Sequence, residues 1–384
     1  MCTQSLYGFL VISGGDSLKK RYLVLIIIGG LLITGLLIFF IGIPVINNLS
    51  ESAKDILPAD MSKLVYMDDE EEFADISRGT LMFCAVSDKG NCYVNGARAE
   101  KNFNYGLDNY SAYNHADPDK WVQIYGGGDA VSVDMFSDDM GGCIFTGNHD
   151  VYLFLNRSDT YKTPTYYCSG YVSADKLNDE TLYMLSENGD LETRSLSDPD
   201  NQAVIGNNIK KFCLDKKDEM VIFALTEDNR LYITKNGEAI TAQTPYIDHI
   251  IDFDYYYYSS KYGVLSLLTD DNTAYAVIGN HELSYDALSD ESIRVKCGQN
   301  IISVSSYNGG IAMLDNNADV KLYGTQINDV DGDLAFQGES VFHDVRSVSG
   351  EFMSICIIKQ DGSLLKFGHH AAVGGYNNLI EMEE

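Results

Sequence analysis

The chain has 384 residues, 45% of them apolar and 22% charged, and a formal net charge of −29. That apolar share excludes a disordered chain. The charge excludes a nucleic-acid binder, because a surface this acidic repels phosphate, and leaves basic partners, cations or plain solubility as its use.

Residues 22–46 read YLVLIIIGGLLITGLLIFFIGIPVI, without a single charge. About twenty helical residues span a bilayer core, so this run is long enough. It lacks the polar stripe of a buried soluble helix. One N-terminal transmembrane α-helix, an uncleaved signal anchor, is therefore expected. Lys19, Lys20 and Arg21 precede it, and Asn47, Asn48 and Glu51 follow. By the positive-inside rule, residues 1–21 stay in the cytoplasm and the rest lies outside. The expected location is the cell membrane, crossed once. Residues 47–75 read as an acidic stalk that includes Asp68-Asp69-Glu70-Glu71-Glu72, a like-charge run expected to be solvated.

Residues 76–384 repeat one pattern seven times: an apolar strand, a turn rich in Asp, Asn and Gly, and a second strand often closing on an aromatic and Gly. The units span 81–96, 141–155, 182–195, 221–237, 263–279, 310–324 and 353–368, and each reads as a β-hairpin. The turns centre on Lys89, Asn148, Asn188, Asp228, Asp271, Asn317 and Asp361, which are 59, 40, 40, 43, 46 and 44 positions apart. That is the period of propeller blades, with an insertion after the first. Further apolar strands precede several hairpins, as in Ile209-Lys210-Lys211-Phe212-Cys213 and Ile301-Ile302-Ser303-Val304. The expected fold is all-β: a seven-bladed β-propeller behind one membrane helix. Two stacked sandwich-like domains are the alternative.

The unit resembles the repeat of the regulator of chromosome condensation family, which are seven-bladed propellers. Residues 302–324 (ISVSSYNGGIAMLDNNADVKLYG) and 345–368 (VRSVSGEFMSICIIKQDGSLLKFG) carry the resemblance. The family's Trp-Gly strand end is Tyr-Gly or Phe-Gly here, and its Asn-x-x-Gly-Gln-Leu-Gly loop survives only as Asn104-Tyr105-Gly106-Leu107. Founding members exchange guanine nucleotides on a nuclear GTPase, and no motif for that is present. Membrane-anchored or secreted bacterial members are the better analogue. The resemblance implies protein–protein recognition more than chemistry.

Motif by motif, the catalytic signals are weak. No G-x-S-x-G, P-loop or H-E-x-x-H occurs. Without C-x-x-C, zinc is not expected. Cys84, Cys143 and Cys356 read as small core residues, and Cys84 and Cys92 flank one turn. Asp329, Asp331 and Asp333 alternate in a turn and offer the hard oxygens calcium wants, though an EF-hand's twelfth-position Glu is missing. Otherwise no cofactor is expected. Asn48, Asn109 and Asn156 fit the glycosylation pattern, which matters only in a eukaryote.

Aromatic clusters are the stronger signal. Tyr255, Tyr256, Tyr257 and Tyr258 precede the fifth hairpin, and the inserted loop carries Trp121 and Tyr125. Alternate tyrosines of a strand point to opposite faces, so half the tetrad is expected in the core. The others would anchor a protein or sugar at a loop face. The reading is a binding module for a protein or peptide at the cell surface. The alternatives are a glycan-active enzyme with carboxylates in its central channel, or a scaffold subunit of a membrane complex.

Overall fold

A computed structural model describes residues 65–79, 82–96, 121–136, 141–155, 163–176, 180–215, 221–235, 238–259, 262–279, 293–307, 310–326, 334–351 and 354–368. The expected membrane helix at 22–46 lies outside them. Among the described residues, no helix is long and apolar enough to cross a membrane.

These residues form seven antiparallel sheets, six of four strands and one of three. In every sheet the strands are joined in sequence order, so each sheet is one meander, a propeller blade. The inner strands are Phe73–Arg78, Ala130–Met135, Tyr171–Lys176, Ile209–Asp215, Ile250–Ser259, Ile301–Tyr307 and Val345–Glu351. The seven hairpins read from the sequence are the second and third strands of each blade. Several of their first strands, among them Val221–Thr226 and Gly310–Asp315, are buried at every position. They have a neighbouring blade on each face, which is why they read as continuous apolar runs rather than alternating ones.

Seven apolar clusters hold the ring, one per seam between blades. Cys84, Val86 and Val94 of blade 1 meet Val133, Met135 and Ile144 of blade 2. The last seam closes the ring, where Ile76, Phe83 and Trp121 of blade 1 meet Cys356 and Ile358 of blade 7. Small and β-branched side chains suit these sheet-on-sheet contacts.

Backbone hydrogen bonds repeat with the same period. In each hairpin turn one residue has positive φ: Gly90, His149, Gly189, Asn229, Asn272, Ala318 and Gly362. Each directly follows a turn centre inferred from the spacing. Except at His149, its carbonyl accepts the amide of the first residue of the next blade's inner strand, as in Ile209 N–H to Gly189 O at 2.8 Å. Phe73 N–H to Gly362 O, at 3.2 Å, makes the same bond across the closing seam.

One boundary differs from the sequence reading. The inner strand of blade 1 begins at Phe73, inside the span assigned to a stalk. Tyr66 bridges Val122, and Met67 N–H donates to Trp121 O, so residues 65–67 run along the outer edge of blade 1. The acidic run is not simply solvated. Glu71 accepts from the Tyr93 hydroxyl at 2.9 Å, and its side chain is 7% exposed. A carboxylate beside a phenol and an amide costs little to bury, which composition alone does not reveal.

Candidate functional site

The seven inner strands surround an axial cavity of about 470 Å³. All seven share one register. After its first residue each strand carries a β-bulge, and polar, apolar and polar residues follow. The triplets are Asp75-Ile76-Ser77, Ser132-Val133-Asp134, Ser173-Ala174-Asp175, Lys211-Phe212-Cys213, Asp252-Phe253-Asp254, Ser303-Val304-Ser305 and Ser347-Val348-Ser349. Strand alternation turns each apolar middle residue into a seam and its neighbours toward the axis. The third positions form a complete tier around the lumen: Ser77, Asp134, Asp175, Cys213, Asp254, Ser305 and Ser349.

Many of these polar side chains clamp the next blade. Asp75 Oδ2 accepts Val133 N–H at 3.1 Å, and Ser77 Oγ accepts Met135 N–H at 2.9 Å. Asp134 Oδ2 takes both the Ser173 hydroxyl and Ala174 N–H at 2.8 Å. Asp254 Oδ2 takes Ser306 N–H at 2.7 Å and the Ser305 hydroxyl at 2.9 Å. Ser305 Oγ accepts Gly350 N–H at 2.8 Å.

Electrostatics divide the lumen. On one wall, burial pushes Asp134 up to about 7, with the charges of Asp75 and Asp175 adding to it. Burial also raises Asp75, against the pull of the Val133 amide. On the other wall Lys211 lies 2.7 Å from Asp252. Burial works against the Lys211 charge, but Asp252 and Asp254 outweigh it and its pKa rises. Asp254 is raised by burial, against the pull of Lys211. The Lys211 side chain keeps 40% exposure, so the lumen is open to water although protein surrounds it. Lys211 is the only cation among the lining residues. Among the described residues, no three His, Cys, Asp or Glu side chains converge closely enough to hold a metal ion.

The bulges build a second feature. They throw out the second residue of each inner strand, at the end of the ring that carries the hairpin and interblade turns. In blade order these residues are Ala74, Val131, Val172, Lys210, Ile251, Ile302 and Arg346. Val131 is 56% exposed, Val172 39% and Ile302 53%. Lone exposed aliphatics are ordinary, but a recurrent set at one register around a channel mouth is a surface feature. Outside this collar the turns carry exposed acids, among them Asp88, Glu187, Glu227, Asp228, Asp270, Asp271 and Asp361.

The residues singled out from the sequence are scattered. Tyr255 stacks on Phe223, centroids 4.6 Å apart, and donates to Asp215 Oδ2 at 2.9 Å, so it packs the seam between blades 4 and 5. Tyr256 borders the axial cavity. Tyr257 and Tyr258 continue the same inner strand, and their side chains lie outside the described residues. Trp121 is 6% exposed, its ring 5.0 Å from Phe73 in the closing seam. Tyr125 is half-buried, donates to Asp129 Oδ1 at 2.7 Å and sits 4.9 Å from the Tyr152 ring. Asp329, Asp331 and Asp333, and the three glycosylation triplets, lie outside the described residues. Cys84 and Cys92 do face each other, sulfurs 3.9 Å apart in the core. The lumen tier and the collar were missed. Their signal was present as the polar-apolar-polar triplet repeated seven times, just after an apolar pair in five of the blades.

No family model matches the sequence, and no curated protein matches it. Solved structures do. Human WBSCR16 superposes with a TM-score of 0.50 at 9% identity, covering 76% of this chain and 87% of that one. A chain of the mitotic checkpoint complex gives 0.52 at 12% identity, over 80% and 91%. Prp20p from Saccharomyces cerevisiae gives 0.48 at 13%, over 77% and 82%. The neighbours are β-propellers of the WD40 and regulator of chromosome condensation-like kinds. At such identities the likeness shows the fold alone.

Proposed function

We propose that this chain is a membrane-anchored binding module whose propeller captures a protein or peptide partner on the face bearing its hairpin turns. One observation carries the reading. Seven bulges at one register throw out a ring of residues around the channel mouth, aliphatic in five of the seven blades, inside a rim of acids. An apolar centre within a charged rim is the anatomy of an interface. The acidic surface adds long-range attraction for a basic partner. The anchor is residues 22–46, supported by their charge-free length and by Lys19, Lys20 and Arg21 before them. That orientation puts the propeller outside the cytoplasm.

The test compares the full chain with a Val131→Asp/Ile302→Asp double variant, each immobilised and exposed to extract from its own cell surface. One stoichiometric protein retained by the parent and lost from an equally stable variant is the expected result. Equal retention by both would overturn the reading.

A glycan-active enzyme is the second reading, favoured by one observation: the axial cavity holds carboxylates with raised pKa, Asp134 near 7 among them. Against it, Asp134 already receives an amide and a hydroxyl from the next blade, which is the work of a clamp. A sugar released from mixed glycans by the parent, and not by Asp134→Asn, would favour the enzyme.

A further inference from the structure

The collar is not uniform around the ring, and its asymmetry matches that of the lumen. Blades 1 to 3 present Ala74, Val131 and Val172 in succession, whereas Lys210 and Arg346 interrupt the collar at blades 4 and 7. Below that unbroken aliphatic arc lie Asp75, Asp134 and Asp175, one on each of the same three blades. Lys210 is held by Asn229 Oδ1 at 2.8 Å in a hairpin turn, and Arg346 donates to Phe73 O at the start of blade 1's inner strand, so both cations are anchored.

Charge separates the two walls of the cavity. Asp252 has a cation at 2.7 Å in Lys211. Asp75 and Asp134 are held by backbone amides and a serine hydroxyl, which satisfy their oxygens without cancelling their charge. Burial raises the pKa of Asp134, and the charges of Asp75 and Asp175 add to it. A divalent metal would need its ligands to converge on one point, and no such set exists among the described residues. A long side chain with a delocalised or rotatable cationic head has no such requirement. The cavity of about 470 Å³ falls within the range of ordinary ligand pockets.

We infer that the partner presents a lysine or arginine side chain to the lumen, where Asp75, Asp134 and Asp175 receive its charge while aliphatic residues flanking it rest on Val131 and Val172. This rests on the turn face being the docking surface. It adds that recognition is centred on blades 1 to 3, and that the cation enters the axis instead of meeting the acids of the outer rim. Pairing inside the lumen, where protein surrounds the charges, is screened less than pairing at the rim.

The test uses the full chain and four synthetic hexapeptide sub-libraries. Each fixes one central position as arginine, lysine, citrulline or norleucine and fills the flanks with mixed aliphatic residues. Binding is read by fluorescence anisotropy. The arginine and lysine sets should bind at least about tenfold more tightly than citrulline and norleucine. Asp75→Asn/Asp134→Asn, which keeps the acceptors for the clamping bonds, should erase that preference. Equal binding of all four sets, no binding by any, or an unchanged preference in the double variant would overturn the inference. Val131→Ser/Val172→Ser separates the two claims. Loss of all binding there, with the arginine preference already absent, leaves the docking face standing and removes only the cation; undiminished binding removes the face itself.

Discussion

The two walls of the axial cavity are built on one backbone plan and differ in what they do with charge. Blades 1 and 2 set Asp75 and Asp134 against amides and a hydroxyl, with burial lifting Asp134 to about 7. Blades 4 and 5 set Asp252 and Asp254 beside Lys211. Both walls have the same bulge, the same triplet and the same outward hydrogen bond to the neighbouring blade. The architecture therefore depends on the apolar middle residue of each triplet, and the flanking positions are free to vary in charge. One wall resembles an internally compensated structural pair. The other holds acid that a partner could neutralise.

The largest effect should come from breaking the compensated wall. Lys211→Met leaves Asp252 beside the lumen without its cation. Removing one partner of a buried pair costs several kcal/mol, and the partial exposure of this pair reduces that to about 1–2 kcal/mol, readable by urea denaturation at neutral pH.

Asp134→Asn should do the opposite on the other wall. The folded pKa of Asp134 lies above the ordinary carboxylate value, so the folded state holds a proton that the unfolded chain has released between about pH 4 and 7. Its favourable contribution is full below that window and is lost as pH rises through about 7. Asparagine stays neutral throughout and retains an acceptor for Ala174 N–H. The variant should match the parent at pH 4 and exceed it in stability at pH 8. Thermal melts across that range check both the sign and the window; a gain largest at pH 4 would contradict the assignment.

A smaller gain is expected where the ring tolerates strain on both walls alike. Ala318 sits at φ 65°, in a turn where the other blades use Gly, Asn or His. Ala318→Gly should stabilise by about 0.5–1 kcal/mol, measured by denaturation, because a Cβ is disfavoured there. Ile302→Ser, by contrast, should leave stability within about 0.5 kcal/mol, since its side chain contributes to the collar and not to a seam.

Much of this was legible from residue spacing. The turn period located every hairpin to the residue, because a tight turn needs a left-handed position and Gly and Asn supply it. The apolar second strands stood out because seams bury both of their faces. Two things were hidden. The strap at residues 65–72 looked like a solvated acidic run, since Glu71 gives no sign in sequence of its bond to Tyr93. The lumen looked like the wet face of an alternating strand, since Ser303-Val304-Ser305 reads the same whether its serines meet bulk water or a channel. Tyr255 and Trp121 stood out as aromatics, yet their size serves the seams.

The most direct test of the central claim places a photoreactive residue at one of two exposed positions and irradiates intact cells. Position 302 lies in the collar, and position 204, where Val204 is 51% exposed, lies on the outer strand of blade 3. The account predicts one discrete protein adduct from position 302 and none from position 204. An adduct from 204 alone, or equal labelling from both, would contradict a partner docked on the turn face.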